Sequence, residues 1–377
     1  MQLLFTALKF MKFDKPKSIG ALFGVIISIF LIGQQTGIFT FLTNAMSYLV
    51  RVNDGYVWVT DNKTTNVNAL APIDVRLGHE IESLPFVVKA HPLVIGAGAA
   101  RFTDGTTAGM SIVGLNLPNY AGLQDNLLIE GNKEELIPEG AISIDFFDKK
   151  ALGNPKKGDY FEINGKQVYI AALTKGARAF GGGLFAYTTI ERARFLGKVS
   201  DNKVSAFLVS AESPEKMQEV VNYINANIPG VKAWMPNDFR WETVITVLKS
   251  SGIAFSFGTL IIFALISGFI IIGLTLYSAA IDRIKDYGTL KAIGASNGYI
   301  RKLILMQAII YSIFGFLIGY ALIEGFRNGI ANAGTLFSFH PITKLVFFLI
   351  TATISISGTL FAIRRITKLE PASVFRT

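Results

Sequence analysis

Four runs of apolar residues, at 19–43, 250–281, 303–323 and 343–363, decide what this chain of 377 residues can become. Each is long enough for a helix to cross the hydrocarbon core of a bilayer, which takes about 20 residues. None carries Asp, Glu, Lys or Arg in its middle. Hydrophobic residues make up 51% of the chain, a share that soluble domains seldom reach together with a positive mean hydropathy. The fold class read from this pattern is a membrane protein with four transmembrane α-helices and a large mixed α/β extracytoplasmic domain between the first and second span. Residues 44–249 form that domain and are numerous enough to bury a core of their own.

The placement of charge sets the topology. The formal net charge is +9, but residues 51–249 hold 21 basic against 22 acidic side chains, so the surplus lies elsewhere. Residues 1–18 carry four Lys against Asp14, residues 282–302 five Lys or Arg against two Asp, and residues 364–377 four against Glu370. Short Lys/Arg-rich flanks stay on the cytoplasmic side of a membrane. Residues 1–18, 282–302 and 364–377 are therefore read as cytoplasmic, with the short loop 324–342 outside. All three basic flanks then fall on one side, as four spans require. A nucleic-acid platform would concentrate its surplus on a folded domain, and the large polar domain is close to neutral. The reading is a multi-pass protein of the cell membrane, with both termini cytoplasmic and no nucleic-acid partner.

The N-terminal run resembles a secretory signal, whose apolar region is about 7–15 residues long. Here the run continues past Gly33 to Leu42 without a small-x-small cleavage site, so a retained anchor is expected. Residues 2–13, QLLFTALKFMKF, read as a short amphipathic helix lying along the inner surface and broken by Pro16.

Chemistry is sparse. The chain has no cysteine, and His79, His91 and His340 are scattered without ligand spacing, so no metal site is expected. The glycine-rich stretch AFGGGLF at 179–185 lacks the GxxxxGK[ST] pattern of a phosphate loop and reads as a surface loop. No nucleophile elbow, catalytic triad ordering or paired-carboxylate pattern stands out, so a non-catalytic chain is expected, with no cofactor of its own. Ionisable residues in mid-span are the mark of ion-coupled transporters, and their absence disfavours that class. Gln34, Gln35 and Thr36 stand in the outer part of the first span. Uncharged polar groups in hydrocarbon seek partners, so these three are candidates for a dimer interface with a second copy of the chain, or lie near the outer interface.

Within 44–249 the strand-like runs are 56–60, 86–95, 111–115, 160–173 and 205–210, the fourth broken by an Asn164-Gly165 hairpin turn. Helices are expected over 74–83 and 214–227, the second capped by Ser213 with Pro214 in its first turn. PFVVKAHP at 85–92 and PGVKAWMP at 229–236 are alike, and each follows one of these helices. A helix-then-strand unit occurring twice would bring the first and last parts of the domain together.

The remaining feature is DRIKDYGTLKAIGASNGYI, residues 282–300, a charged stretch between two apolar spans. As a helix it places Ile284, Tyr287 and Leu290 at three-residue spacing with Ile293 at the edge, and Arg283, Lys285 and Lys291 around them. Gly294 can end that helix and Ser296 can cap the next. The stretch resembles the cytoplasmic motif of FtsX-like, or MacB-type (type VII), ABC transporter permeases, where E-R-x-x-E-[IF]-G precedes a [RK]-A-[ILV]-G-A segment. KLEPASVFR at 368–376 is similar to that family's terminal P-x-E-A-L-R. Asp282 and Asp286 stand where Glu is commoner, and Tyr287 replaces an aliphatic residue or Phe. The wording is closest to the DevC-like permeases, which act in glycolipid export with a membrane-fusion adaptor.

The resemblance implies a permease subunit that dimerises and engages two copies of a separate ABC-type ATPase, which binds ATP and Mg. It implies that Asp282, Arg283, Ile284, Lys285, Asp286, Tyr287, Gly288, Leu290, Lys291, Ile293 and Gly294 form the ATPase-coupling segment. Movement of that segment would pass to the outer domain as mechanotransmission, for export or extraction of a lipid, glycolipid, lipoprotein or other hydrophobic cargo with an adaptor and the membrane lipid itself. The alternative is a signalling scaffold that moves no substrate and activates an extracytoplasmic cell-wall hydrolase.

Overall fold

A computed structural model describes residues 2–367 apart from Asp14, Pro118, Asn119, Arg178, Ala179, Gly181, Gly182 and Ala333, so the terminal KLEPASVFR stretch lies outside the described residues. The chain forms two compact units, Met1–Thr40 with Ala254–Thr377, and Phe41–Ile253. Among the described residues, four helices are long and apolar enough to cross a membrane.

The chain opens with α1 (Gln2–Phe13) and α2 (Lys15–Met46). Pro16 falls in the first turn of α2, where a missing N–H costs nothing, so the proline separates the two helices rather than distorting either. Leu3, Ala7, Phe10 and Met11 share one face of α1 and pack inward, while Leu4, Phe5 and Leu8 are exposed on another.

The second unit runs through α3 (Tyr48–Val52), β1 (Val57–Asp61), β2 (Ile73–Asp74), α4 (Leu77–Glu82) and the long β3 (Val87–Arg101). It continues with β4 (Thr107–Leu115), β5 (Leu128–Glu130), β6 (Ala141–Asp145), β7 (Tyr160–Ile163), β8 (Lys166–Thr174), β9 (Leu184–Thr189) and α5 (Ile190–Gly197). Then follow β10 (Lys203–Val204), β11 (Ala206–Ala211), α6 (Met217–Asn227), β12 (Val231–Trp234) and α7 (Pro236–Ser251).

Four of these strands make an antiparallel sheet in the order β12-β1-β11-β3, with α4 leading into β3 and α6 into β12. This is the split βαβ arrangement of ferredoxin-like folds. The two similar octapeptides mark its two helix-then-strand units, and both enter one sheet. Alternation sorts the strand residues between two cores. Val57, Val59, Phe207, Val209, Val231 and Ala233 join Ile81 of α4 and Val220 and Ile224 of α6. Trp58, Leu208 and Trp234 face the other way, against Phe239 of α7 and Leu49 of α3.

Between β3 and β11 the chain builds a second lobe. The C-terminal half of β3 pairs with β4 and β7, β7 with β8, β8 in parallel with β6, and β4 in parallel with β9. The backbone N–H of Tyr187 in β9 donates to Ser143 Oγ in β6 at 2.9 Å, and Thr188 Oγ1 donates to the Ala141 carbonyl at 2.8 Å. Side-chain bonds thus bring the last two strands together and curl the sheet towards a barrel. The Asn164-Gly165 turn between β7 and β8 has positive φ at both residues, 51° and 74°, as a two-residue hairpin requires.

Several expectations need correction. The stretch 74–83 is not one helix: Asp74 ends β2, and its carboxylate binds the Arg76 guanidinium at 2.9 Å, leaving the helix to start at Leu77. The stretch 214–227 begins as a 3₁₀ turn, Pro214–Lys216, before α6, and Ser213 donates to Glu215 instead of capping the helix. Leu184 and Phe185, read as the end of a surface loop, open the fully buried β9. The strand read at 86–95 continues to Arg101.

The chain then forms α8 (Ile253–Asp282), α9 (Ile284–Ala292), α10 (Asn297–Ala331) and α11 (Pro341–Thr367). Small residues let these helices pack closely, the usual device where lipid removes the hydrophobic drive between helices. A Cβ added at Gly315 of α10 would collide with the Val25 side chain of α2, and one at Gly358 of α11 would meet the Gly273 backbone of α8 at 2.9 Å. Contacts with α2 and α11 still leave much of α8 exposed, including Phe255 at 79%, Phe263 at 61% and Leu274 at 64%.

Candidate coupling site

The charged stretch between the second and third spans folds as α9, set off from α8 by Arg283. Gly294 follows with φ 102°, a conformation that disfavours any residue bearing a Cβ. Its N–H donates to the Lys291 carbonyl at 3.0 Å, and the Ala295 N–H to the Leu290 carbonyl at 2.8 Å, which satisfies the carbonyls left over at the helix end. Ser296 Oγ accepts from the Tyr299 N–H at 3.2 Å and starts α10. A nine-residue helix is too short to hold in water alone, so α9 depends on what it packs against.

That support comes from three other helices. Tyr287 is 1% exposed and lies in a small core with Ala7 of α1 and Ile300, Leu303 and Ile304 of α10. Its ring centroid is 5.7 Å from that of Phe10. Burial pushes the Tyr287 phenol up to about 12, with its hydrogen bond to Gln307 a smaller, opposing influence. The Arg283 guanidinium sits 5.2 Å from the Phe10 ring centroid and 5.8 Å from that of Phe13, a cation over two aromatic faces. Lys291 Nζ donates to the Thr367 carbonyl at 3.0 Å, on the last turn of α11, where a cation also meets the negative end of the helix dipole.

This geometry divides the eleven residues nominated from the sequence. Tyr287, Gly288 and Arg283 are buried, and Ile284, Leu290 and Lys291 are half-buried. The apolar stripe therefore faces the protein's own core, not outward. Asp282, Lys285, Asp286, Ile293 and Gly294 are exposed, joined by Thr289 and Ala292, which the sequence did not single out. Ile293, at 76% exposure, is the large apolar side chain on that surface. Also unforeseen were Phe10, Gln307 and Thr367, the anchors contributed by other helices. The amphipathic spacing of α1 was the available signal, since a helix with an inward stripe needs something to cover it.

Gln34, Gln35 and Thr36 are half-buried on α2, and Thr36 Oγ1 donates to the Ile32 carbonyl at 2.8 Å within its own helix. Among the described residues no group of three or more His, Asp or Glu side chains is placed to hold a metal ion. In the lobe of the α/β domain, Tyr160, Gln167, Tyr169, Arg192 and Phe195 line an open cavity of about 560 Å³. The Arg192 guanidinium is directed into the fold there, donating to the Ala141 carbonyl at 2.7 Å and the Pro138 carbonyl at 2.6 Å.

Residues 258–371, which include α9, match the FtsX-like permease C-terminal family. No curated protein sequence matches the chain. Among solved structures, the extracellular domain of the noncanonical ABC-type transporter YknZ from Gram-positive bacteria is similar to 48% of the chain over 98% of its own length, at 14% identity and a TM-score of 0.35. The periplasmic region of MacB from Actinobacillus actinomycetemcomitans is similar to 52% of the chain over 94% of its own length, at 9% identity and a TM-score of 0.35. A domain of a permease protein from Porphyromonas gingivalis is similar to 48% of the chain over 89% of its own length, at 13% identity and a TM-score of 0.33.

Proposed function

Because residues 258–371 match the FtsX-like permease C-terminal family, we propose that the chain is an FtsX-like permease of an ABC transporter and that α9 is the point at which a separate ATPase drives it. The observation that carries this reading is the two-sided character of α9. Its inner face is fixed by Tyr287, Arg283 and Lys291 to α1, α10 and α11, and its outer face offers Lys285, Asp286, Thr289, Ala292 and Ile293. A partner pressing on Ile293 moves a helix that is fixed to three others, so a local push becomes a shift of the membrane bundle. Lys285 and Asp286 give the contact both signs of charge, which fixes register more than affinity.

With the Lys-rich flanks inside, α9 is cytoplasmic and the α/β domain is extracytoplasmic. Two copies of the ATPase then require two copies of α9, supplied by a dimer of this chain. The broad exposed surface of α8 and the half-buried Gln34, Gln35 and Thr36 of α2 are where a second copy would pack. ATP-driven closing of the ATPase pair would move the spans and, through them, the α/β domain, which would handle a hydrophobic cargo together with a membrane-fusion adaptor on the outer side. The DevC-like wording of residues 287–300 supports a lipid or glycolipid.

The test is co-purification of the chain with its cognate ABC-type ATPase. Ile293→Asp is expected to abolish ATP-stimulated assembly while leaving the thermal stability of the permease unchanged. Wild-type assembly in that variant would refute the docking role of this face. Accumulation of a lipid after depletion would support transport, whereas altered septation with unchanged envelope lipids would favour the signalling reading.

A further inference from the structure

A groove of about 190 Å³ opens on the surface of the helical unit, lined by Met11 of α1, Lys15, Ile19 and Leu22 of α2, and Ile310 and Phe314 of α10. The polar groups at its floor are satisfied within the protein. Tyr311 Oη donates to Ser18 Oγ at 2.9 Å, and Ser18 Oγ donates to the Met11 carbonyl at 2.7 Å, one of the acceptors left over where α1 ends. The walls that remain are apolar, and Ile19 and Phe314 are 63% and 53% exposed. The single charged side chain in the lining is Lys15, which is exposed, as is Lys12 in the last turn of α1.

We propose that this groove seats one acyl chain of an anionic phospholipid of the cytoplasmic leaflet, with the lipid phosphate held by Lys15. The inference rests on the orientation given above, in which residues 1–18 lie at the inner membrane surface. Apolar walls with a cation at one end match a molecule that is apolar along its length and anionic at its head. A free phosphate would make no use of the walls. Charge complementarity selects among lipids: residues 1–18 carry four Lys against one Asp, and basic clusters beside a span attract anionic headgroups. A long Lys stem can lie along the apolar wall while its ammonium stays at the headgroup level. The bound lipid would lie against the Tyr311–Ser18–Met11 chain of hydrogen bonds, the same chain that fastens the end of α1 to α2 and α10.

The experiment uses the full-length protein in phosphatidylcholine nanodiscs doped with brominated phosphatidylglycerol or brominated phosphatidylcholine at equal mole fraction. Phe314→Trp reports the groove, and in a second protein Phe263→Trp reports an exposed site on α8; each is read as the change in emission over the same protein without the added Trp. Brominated phosphatidylglycerol is expected to quench the Trp at 314 with an apparent affinity about fivefold above brominated phosphatidylcholine, the preference that one Lys near an anionic surface confers. The preference should vanish in Lys15→Glu and be absent at 263. Equal quenching by the two lipids at 314, or a preference that survives Lys15→Glu, overturns the proposal. As a check independent of the added Trp, native mass spectrometry of the otherwise unaltered chain should retain phosphatidylglycerol, and Lys15→Gln should lose it; retention by Lys15→Gln also overturns the proposal. The orientation is read separately. The chain has no cysteine, so Lys15→Cys in sealed vesicles should react with a membrane-impermeant maleimide only from the cytoplasmic side. Labelling from the other side overturns the leaflet assignment whatever the quenching shows.

Discussion

The rings of Phe10 and Tyr287 lie 5.7 Å apart, centroid to centroid, and so join the first helix of the chain to the short helix between the second and third spans. The two residues are far apart in sequence and close one small core. Removing either ring should loosen α9 without disturbing the α/β domain. For Tyr287→Ala the expected loss is about 3 kcal/mol of local stability, in line with deletion of a buried aromatic ring. Hydrogen exchange of the α9 amides in nanodiscs measures it. The Phe10→Ala, Tyr287→Ala double variant should cost less than the sum of the singles by about 0.5–1.5 kcal/mol.

Substitutions on the two faces of α9 should separate folding from docking. Thr289→Arg and Ile293→Asp alter exposed positions, so the melting temperature should hold while binding to the ATPase falls at least tenfold. Tyr287→Asp places a carboxylate in an apolar core and should lower the yield of folded protein. A pull-down alone would not distinguish the two outcomes; a pull-down paired with a thermal melt does.

Gly273 and Gly358 bring α8 and α11 into backbone contact. Gly358→Leu forces these helices apart and is expected to cost about 1–3 kcal/mol, the usual penalty of overpacking. The melting temperature of the detergent-solubilised protein should fall, whereas Gly325→Leu, at a glycine with open space around it, should leave it within error.

The α/β domain should lose stability as the pH falls below about 6.5. His91 is buried on β3, its Nε2 3.3 Å from Ser210 Oγ, and burial, aided by the charge of Lys89, holds its imidazole below the usual value of 6.5. The unfolded chain therefore takes up the proton first, so the stability contributed is complete above about 6.5 and is lost as the pH drops through the lower, folded value. Asp74, Glu82 and Asp104 are shifted down as well, but their contribution begins to fall only near 4.5 and below. Trp58, Trp234 and Trp241 all lie in this domain, so intrinsic fluorescence during thermal unfolding reports it selectively. In His91→Gln the slope between pH 6.5 and 4.5 should flatten.

The spans could be read from hydropathy because a helix in lipid must satisfy its own backbone and so announces itself by length alone. Asn164-Gly165 and the Ser296 cap were legible for a similar reason, since each is a local rule with no long-range partner. Two other features required knowledge of the neighbours. The stripe Ile284, Tyr287, Leu290 is the same text whether it faces outward or inward, and only the covering by Phe10 and Ala7 decides it. Likewise β9, LFAYTT, is buried at every position and shows no alternation, so it was lost behind the glycines that precede it. Pro92 and the glycines at 96 and 98 concealed the length of β3; the structure accommodates them because a Cβ at Gly96 would meet Gly197 of α5 at 2.9 Å.

The ferredoxin-like sheet has a mechanical corollary. The chain enters it on β1 and leaves it on β12, and these strands are neighbours, with Trp58 opposite Trp234. Phe239, at the start of the exit helix α7, lies tilted 5.6 Å from the Trp58 ring and stacked 5.4 Å from the Trp234 ring. Two tethers fastened at one spot act as a single handle. Tension shared by both would carry the domain along as one body, whereas tension on one alone would load the β1–β12 ladder from its end, where hydrogen bonds open one at a time. The aromatic trio sits at that vulnerable end like a rivet. Everything inserted between β3 and β11 hangs from the far strand of the sheet, outside the line of force, so that lobe is free to change its surface without altering how a pull is received.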